Sequence, residues 1–334
     1  MIMTGSGAQH AAAEVRALAE LLQAPAVPWR GGRGVVAEDT PLGLNCASGF
    51  QRWADTDVVI GIGSRLELQW SRWPAPARGL PRLVLIDIDP AQLSRLKPQV
   101  GIVADARDAT AALVAELERR GHRAASRRDE FESLQRRMAE TTQDIRPHLD
   151  YLAAIRAALP RDGFFVEEIC QAGFSSYFGF AVYEPRSFVT CGYQGTLGFG
   201  YPTALGVKVA HPGKPVVSIA GDGGFMFGVQ ELATAVQFNI GVVTLVFNNN
   251  AYGNVRRDQR ERFEGRVVAS DLVNPDFVKL AESFGVGAAR VTSPDHFRAA
   301  LEKALAHGGP YLIDIEVPTG SETTPWTFIH PPKP

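Results

Sequence analysis

Along the chain, short runs in which nearly every position is apolar end in turns of glycine, aspartate or asparagine. Val216-Val217-Ser218-Ile219-Ala220 leads into Gly221-Asp222-Gly223-Gly224, and Val242-Val243-Thr244-Leu245-Val246-Phe247 leads into Asn248-Asn249-Asn250. Unalternated runs of this length, rich in β-branched residues, predict strands buried on both faces of a parallel sheet. Residues 229–238 between them carry apolar side chains at helical spacing. The three elements form one βαβ unit, whose right-handed crossover brings the carboxyl ends of both strands to the same edge of the sheet. The same reading makes residues 163–169 an earlier strand, 275–285 an amphipathic helix and 310–317 a closing strand.

The first third repeats the theme. Ile2-Met3-Thr4 reads as a strand entering Gly5-Ser6-Gly7, residues 11–22 are rich in Ala, Leu and Glu and predict a helix, and residues 57–63 and 81–90 supply two buried strands. The fold class expected is α/β, with two Rossmann-like three-layer domains built on parallel sheets. The boundaries expected are a first domain over 1–120, a charged linker over 121–148 and a second domain over 149–334.

Chemistry enters at the turns. Asp222 offers a carboxylate, Asn249 an amide oxygen and the turn after it a main-chain carbonyl, which are hard donors suited to Mg²⁺ completed by phosphate oxygens and water. Gly223 and Gly224 carry no side chain to obstruct an anion, and they precede a helix whose N-terminus favours negative charge. A lone Asp-Gly turn would be ordinary; the pair of turns on one sheet edge is what points to a metal-diphosphate site. At the end of the strand in 163–169, Glu167 and Glu168 become general acid-base candidates if burial raises their pKa values. Helix capping or ion pairing explains them equally well, so neither is assigned a catalytic role, although Glu168 and Gln171 belong near the same ligand-bearing edge.

These residues resemble the thiamine diphosphate (ThDP) motif, in which Gly-Asp-Gly is followed one helix later by Asn-Asn; here 24 residues lie between Gly223 and Asn248. The runs Gly195-Thr196-Leu197-Gly198-Phe199-Gly200 and Gln230-Glu231-Leu232-Ala233-Thr234-Ala235 are similar to the acetolactate synthase and benzoylformate decarboxylase branch of ThDP enzymes. The resemblance covers nearly the whole chain. It implies that Asp222, the Asn249 side chain and the Ala251 carbonyl hold Mg²⁺, and that Gly223 and Gly224 contact the diphosphate. It also implies that Leu197 props the cofactor into its bent conformation and that the Gly195 carbonyl accepts from its aminopyrimidine. Thr196, Gly221, Tyr252 and Gly253 complete the implied cofactor-binding set. A plain reading of Leu197 as core filler stands beside this one. Residues 1–120 look like the middle domain of these enzymes, with Ile86-Asp87-Ile88-Asp89-Pro90 a familiar strand end. Some relatives bind FAD or ADP there, and nothing in the segment demands either nucleotide.

The resemblance also implies an activating glutamate from an N-terminal pyrimidine-binding domain. No glutamate of this chain matches that role, so no catalytic residue is assigned, and the expectation is a fragment or a half-site completed by a separate polypeptide. The activity implied is decarboxylation of a small-molecule 2-oxo acid, with or without carboligation, by a homodimer or tetramer or together with a separate pyrimidine-binding chain. The alternative is a non-catalytic cofactor-binding subunit.

Composition narrows the remaining classes. With 334 residues, 45% hydrophobic, the chain is long enough for about two domains. Its 34 basic and 36 acidic residues leave a formal charge of -2, which gives no reason to expect nucleic acid. The basic run Arg119-Arg120-Gly121-His122-Arg123 with Arg127-Arg128 is interleaved with acids and reads as a solvated face. Cys46, Cys170 and Cys191 are widely spaced, which argues against a disulfide framework or structural zinc and for a reducing, cytoplasmic setting. The seven histidines lack metal-ligand spacing, and no apolar run is long enough for a membrane span. A nicotinamide dehydrogenase would need a complete phosphate fingerprint, but Gly5-Ser6-Gly7 has His10 where the third glycine belongs, and Gly61-Ile62-Gly63 continues with Ser64-Arg65-Leu66.

Overall fold

The buried apolar runs are realised as two parallel sheets. A computed structural model of the chain describes residues 1–67, 69–192 and 194–328. Its residues fall into two units, one made of 1–144, 181–187 and the segment from 325 onward, the other of 145–180 and 188–324. The last six residues of the expected second domain, 329–334, lie outside the described residues.

In the first unit, β1 (Ile2–Thr4), β2 (Ala26–Pro28), β3 (Val58–Ile62), β4 (Arg82–Asp87) and β5 (Val100–Val103) pair in the order β2-β1-β3-β4-β5, all parallel. Ile2, Met3, Val59, Leu85 and Ile86 are fully buried, as strands covered on both faces require. The helix Ala12–Leu22 buries Val15, Leu18 and Ala19 along one stripe. Within the segment expected as linker, the helix Arg128–Thr141 buries Phe131, Leu134 and Met138 at helical spacing, and it belongs to this unit. The basic cluster nearby is ion-paired and solvated: Arg119 and Arg120 with Glu116, Arg127 with Glu130, Arg128 with Glu20.

In the second unit, β6 (Phe164–Val166), β7 (Phe188–Val189), β8 (Val216–Gly221), β9 (Val243–Asn248), β10 (Gly287–Val291) and β11 (Tyr311–Glu316) are ordered β10-β11-β9-β8-β6-β7, again all parallel. Gly221 stands opposite Phe247 in the register, so the turns carrying Asp222 and Asn249 leave the sheet at the same edge. Beneath them Val166, Tyr201, Ala220, Phe225, Leu232, Val246 and Phe277 form one buried cluster. After β6 the chain runs to β7 on one side and later returns to β8 on the other. The crevice at the carboxyl ends of β6 and β8 is therefore the topological switch point, the position where open α/β sheets take their ligands.

One expectation changes. The helix after the glycine pair is a single turn, Asp222–Phe225, and the crossover helix proper is Glu231–Gln237 rather than the whole of 229–238. Gly223, Gly224 and Gly228 have poor helix propensity and interrupt it, so little aligned backbone dipole is available at the Gly-Asp-Gly turn.

Candidate functional site

Asp222 follows directly on the last residue of β8 and is carried into the sheet edge, where it is 2% exposed. Its Oδ1 accepts from the Gly223 N–H at 2.9 Å, and its Oδ2 accepts from the Ala251 N–H at 3.2 Å and from Asn274 Nδ2 at 2.7 Å. The same Ala251 N–H is shared with Asn249 Oδ1, also at 3.2 Å. Asn250 turns the chain at φ 55°, a left-handed conformation that asparagine tolerates, and so returns Ala251 toward Asp222. The structure thus brings together the carboxylate, the amide oxygen and residue 251 within single hydrogen bonds of one another. Burial raises the Asp222 carboxyl above the usual carboxylate range, while the bonds from Gly223, Asn274 and Ala251 oppose the shift. A divalent cation would remove the cause of that rise by neutralising the buried charge.

The glycines are required by close approach. A Cβ at Gly223 would overlap the Tyr252 ring, and one at Gly224 would overlap Glu168 Oε1 while standing 3.5 Å from Leu197 Cδ2. Gly253, first residue of the helix Gly253–Arg262, approaches Asn249 Nδ2 as closely. Leu197 is 40% exposed, which removes the core-filler reading and leaves an apolar side chain presented beside Gly224. Gly195 and Thr196 are exposed, and a Cβ on Gly195 would overlap Ile169 Cδ1 beyond β6. All the residues expected from sequence as a cofactor set lie in the second unit.

Glu168 is the residue whose part in the site sequence reasoning left open. Fully buried just past the end of β6, it accepts from the Gly200 N–H at 2.7 Å and so caps the helix Gly200–Ala210 with one oxygen. Its Oε1 lies against Gly224 and has no hydrogen-bond partner among the described residues. Burial pushes its pKa up to about 7, against the bonds from Gly200 and Gly198 and with help from neighbouring Glu167. Two adjacent glutamates at the end of a buried strand were the available signal. Burial pushes the thiol of Cys170, beside Gly221, well above the usual range, which disfavours the thiolate. Glu167 accepts from the Tyr177 hydroxyl at 3.0 Å.

Two protein families match this chain: the central domain of thiamine pyrophosphate enzymes over residues 1–113, and their C-terminal TPP binding domain over residues 170–315. The chain belongs to the thiamine pyrophosphate enzymes. Within them it falls in the acetolactate synthase superfamily. A probable acetolactate synthase large subunit of Methanocaldococcus jannaschii is 34% identical over 95% of this chain and 57% of its own length. A probable 2-ketoarginine decarboxylase of Pseudomonas aeruginosa is 30% identical over 94% of this chain and 57% of its own length. A glyoxylate carboligase of Escherichia coli is 32% identical over 95% of this chain and 58% of its own length. The chain therefore spans somewhat over half the length of these curated relatives.

For a ThDP enzyme the donor set is chemically apt. Among the described residues no three His, Cys, Asp or Glu side chains gather to hold a metal; the two turns present one carboxylate and one amide oxygen beside a main-chain turn, which are hard oxygen donors of the kind Mg²⁺ accepts. Also among the described residues, no helix is long and apolar enough to cross a membrane.

Proposed function

We propose that this chain binds ThDP through Mg²⁺ and forms the diphosphate-binding part of an enzyme that decarboxylates a 2-oxo acid, with or without transfer of the resulting acyl unit to a second carbonyl. The observation that carries the reading is the convergence of Asp222, Asn249 and residue 251 at the carboxyl ends of β8 and β9, beside a glycine pair with no room for a Cβ. Asp222, Asn249 Oδ1 and the Ala251 carbonyl hold the cation, and Gly223 and Gly224, with Gly221, Tyr252 and Gly253 around them, admit the diphosphate. Leu197 supports the bend between the cofactor's rings, next to Gly195 and Thr196. When bound, ThDP supplies a nucleophilic thiazolium carbon that adds to the substrate carbonyl and an electron sink for the pair left as CO₂ departs. The buried Asp222 carboxylate and the water-poor edge around it fix the charged end of the cofactor, so that its reactive end is held in one orientation.

No residue of this chain is assigned to activate the aminopyrimidine. That function belongs in this proposal to a pyrimidine-binding domain, contributed within a homodimer or tetramer or by a separate chain. The three widely spaced cysteines support a reducing, cytoplasmic setting. Calorimetric titration with ThDP, with and without Mg²⁺, followed by a CO₂-release assay on pyruvate, tests the reading. Mg²⁺-dependent binding is expected. Turnover by this chain alone would place the activating group within it, and binding without turnover would favour the half-site. Absence of Mg²⁺-dependent ThDP binding would overturn the proposal.

A further inference from the structure

Asparagine is an awkward metal ligand, because its amide presents an oxygen that coordinates and a nitrogen that cannot, and the two exchange places by a half-turn of one torsion. Something must decide which end faces the cation. In this chain the deciding contact comes from the segment after β11. Asn249 Nδ2 donates to Glu322 Oε1, and Glu322 is 7% exposed. A carboxylate accepts and never donates, so this partner admits only the NH₂ end of the amide and turns Oδ1 to the opposite side, toward Ala251 and Asp222.

The segment is built to hold that carboxylate in place. Val317 N–H donates to the Asn248 carbonyl at 2.9 Å, Thr319 Oγ1 donates to the Asn249 carbonyl at 2.5 Å, and Gln171 Nε2 donates to the Thr323 carbonyl at 2.5 Å. Glu322 is thus pinned on both sides, to the asparagine turn before it and to the start of the helix Gln171–Gly179 after it. Gly253 leaves the space, since a Cβ there would overlap both Glu322 Oε1 and Asn249 Nδ2. We propose that Glu322 is a positioning residue for the metal site: through its hydrogen bond to Asn249 it sets the amide with oxygen toward the cation. The inference rests on the Mg²⁺-ThDP reading above and adds to it a residue that touches neither metal nor cofactor.

The experiment measures ThDP binding by calorimetry across a Mg²⁺ series for the wild-type chain, Glu322→Gln, Glu322→Asp and Asp222→Ala, with metal-free thermal denaturation of each. Glutamine can donate as well as accept, so Glu322→Gln is expected to raise the Mg²⁺ needed for half-maximal ThDP binding about tenfold, the lower end of what loss of a ligand-orienting partner costs. Its metal-free melting temperature is expected to stay at the wild-type value, and Glu322→Asp, which keeps an acceptor, to fall between the two. In an Asn249→Asp background the sign reverses. Both ends of residue 249 are then oxygen, no orientation remains to be set, and Glu322→Gln relieves a like-charge contact and lowers the Mg²⁺ requirement. A merely structural role for Glu322 would produce no such reversal. An unchanged Mg²⁺ requirement in Glu322→Gln, or a loss that persists with the same sign in the Asn249→Asp background, overturns the inference while Asp222→Ala still separates from wild type. If Asp222→Ala and wild type behave alike, the Mg²⁺-ThDP reading fails and the positioning role fails with it. Where Glu322→Gln does not fold, Glu322→Asp carries the same comparison.

Discussion

In the first unit the turn after β1 closes on the turn after β3. Gly5 N–H donates to the Ile62 carbonyl at 3.2 Å, Gly7 N–H to the Gly63 carbonyl at 3.1 Å, and Ala8 N–H back to the Gly5 carbonyl at 3.0 Å. A Cβ on Gly5 would overlap the Gly63 carbonyl. In the second unit the turn after β8 meets side chains instead: Gly223 the Tyr252 ring, Gly224 the Glu168 carboxyl and Leu197. Both turns follow a buried parallel strand and both lie at a topological switch point, between β1 and β3 in one sheet and between β6 and β8 in the other. At the first, the amides of the glycine turn are consumed by neighbouring backbone. At the second, a buried carboxylate, an amide and a main-chain turn converge. A glycine turn marks a ligand site only when its surroundings are chemical groups aimed outward rather than more backbone.

The strongest way to break this comparison is Asp222→Ala. Loss of the buried carboxylate is expected to weaken Mg²⁺-dependent ThDP binding about 1000-fold, roughly 4 kcal/mol. Calorimetric affinity close to wild type would remove the metal from this turn.

Next comes Glu168→Gln, read through pH. The folded-state pKa of Glu168 is raised to about 7 from an ordinary 4.5. Between those values the unfolded chain has released the proton while the folded chain keeps it, so this group's contribution to stability falls as pH rises, and the deficit above pH 7 is roughly 3 kcal/mol. His148, whose pKa burial lowers to about 4, works in the opposite direction below its ordinary 6.5, but it is common to both proteins and cancels in their difference. The stability gap in favour of Glu168→Gln, measured by denaturant titration, is expected to open from pH 4.5 and level off near 7. A gap independent of pH would mean that folding leaves the Glu168 pKa at its ordinary value.

Smaller effects sharpen the contrast between the switch points. Gly5→Ala drives a methyl into a carbonyl that cannot swing aside, and about 2 kcal/mol of destabilisation is expected with ThDP affinity unchanged. Gly224→Ala meets the far end of a side chain, so about 1 kcal/mol is expected in stability, accompanied by a roughly tenfold loss of ThDP affinity. Equal outcomes for the two variants in both measurements would erase the distinction drawn here.

The second sheet was legible where its strands are long and wholly apolar: β8, β9 and β11 fall within a residue of the runs that announce them. β7 has two residues and β2 three, too short to show a period, and β10 reads Gly-Ala-Ala-Arg-Val, small residues and a charge that are mostly half-buried. Such strands are stabilised by neighbours already in place and leave little trace in the pattern of hydrophobic positions. At the site, the Gly-Asp-Gly and Asn-Asn-Asn turns stood out because two such turns, each ordinary alone, end the two strands of one βαβ unit. Glu322 did not, since 73 residues separate it from its partner Asn249 and nothing local marks it. The depth of Glu168 was equally hidden: a glutamate pair at a strand end looks the same in sequence whether solvent or a helix lies above it.

The threading of the two units has a consequence for how such a molecule can be rearranged. The chain passes from the first unit to the second after residue 144, back at 181, out again at 188 and back at 325. The excursion 181–187 interrupts the second unit between the helix Gln171–Gly179 and β7, and Glu38 in the first unit fastens it through the Val182 N–H at 3.2 Å. A protease that nicks the chain near residue 145 therefore leaves the second unit whole but carrying pieces of the first, and leaves the first unit without 181–187 and the segment that begins at 325; a single genetic crossover there divides the molecule in the same way. Exchange of the cofactor-binding half between relatives would have to preserve the seven-residue excursion as well as the main joint, which makes these two units poor candidates for shuffling as independent modules.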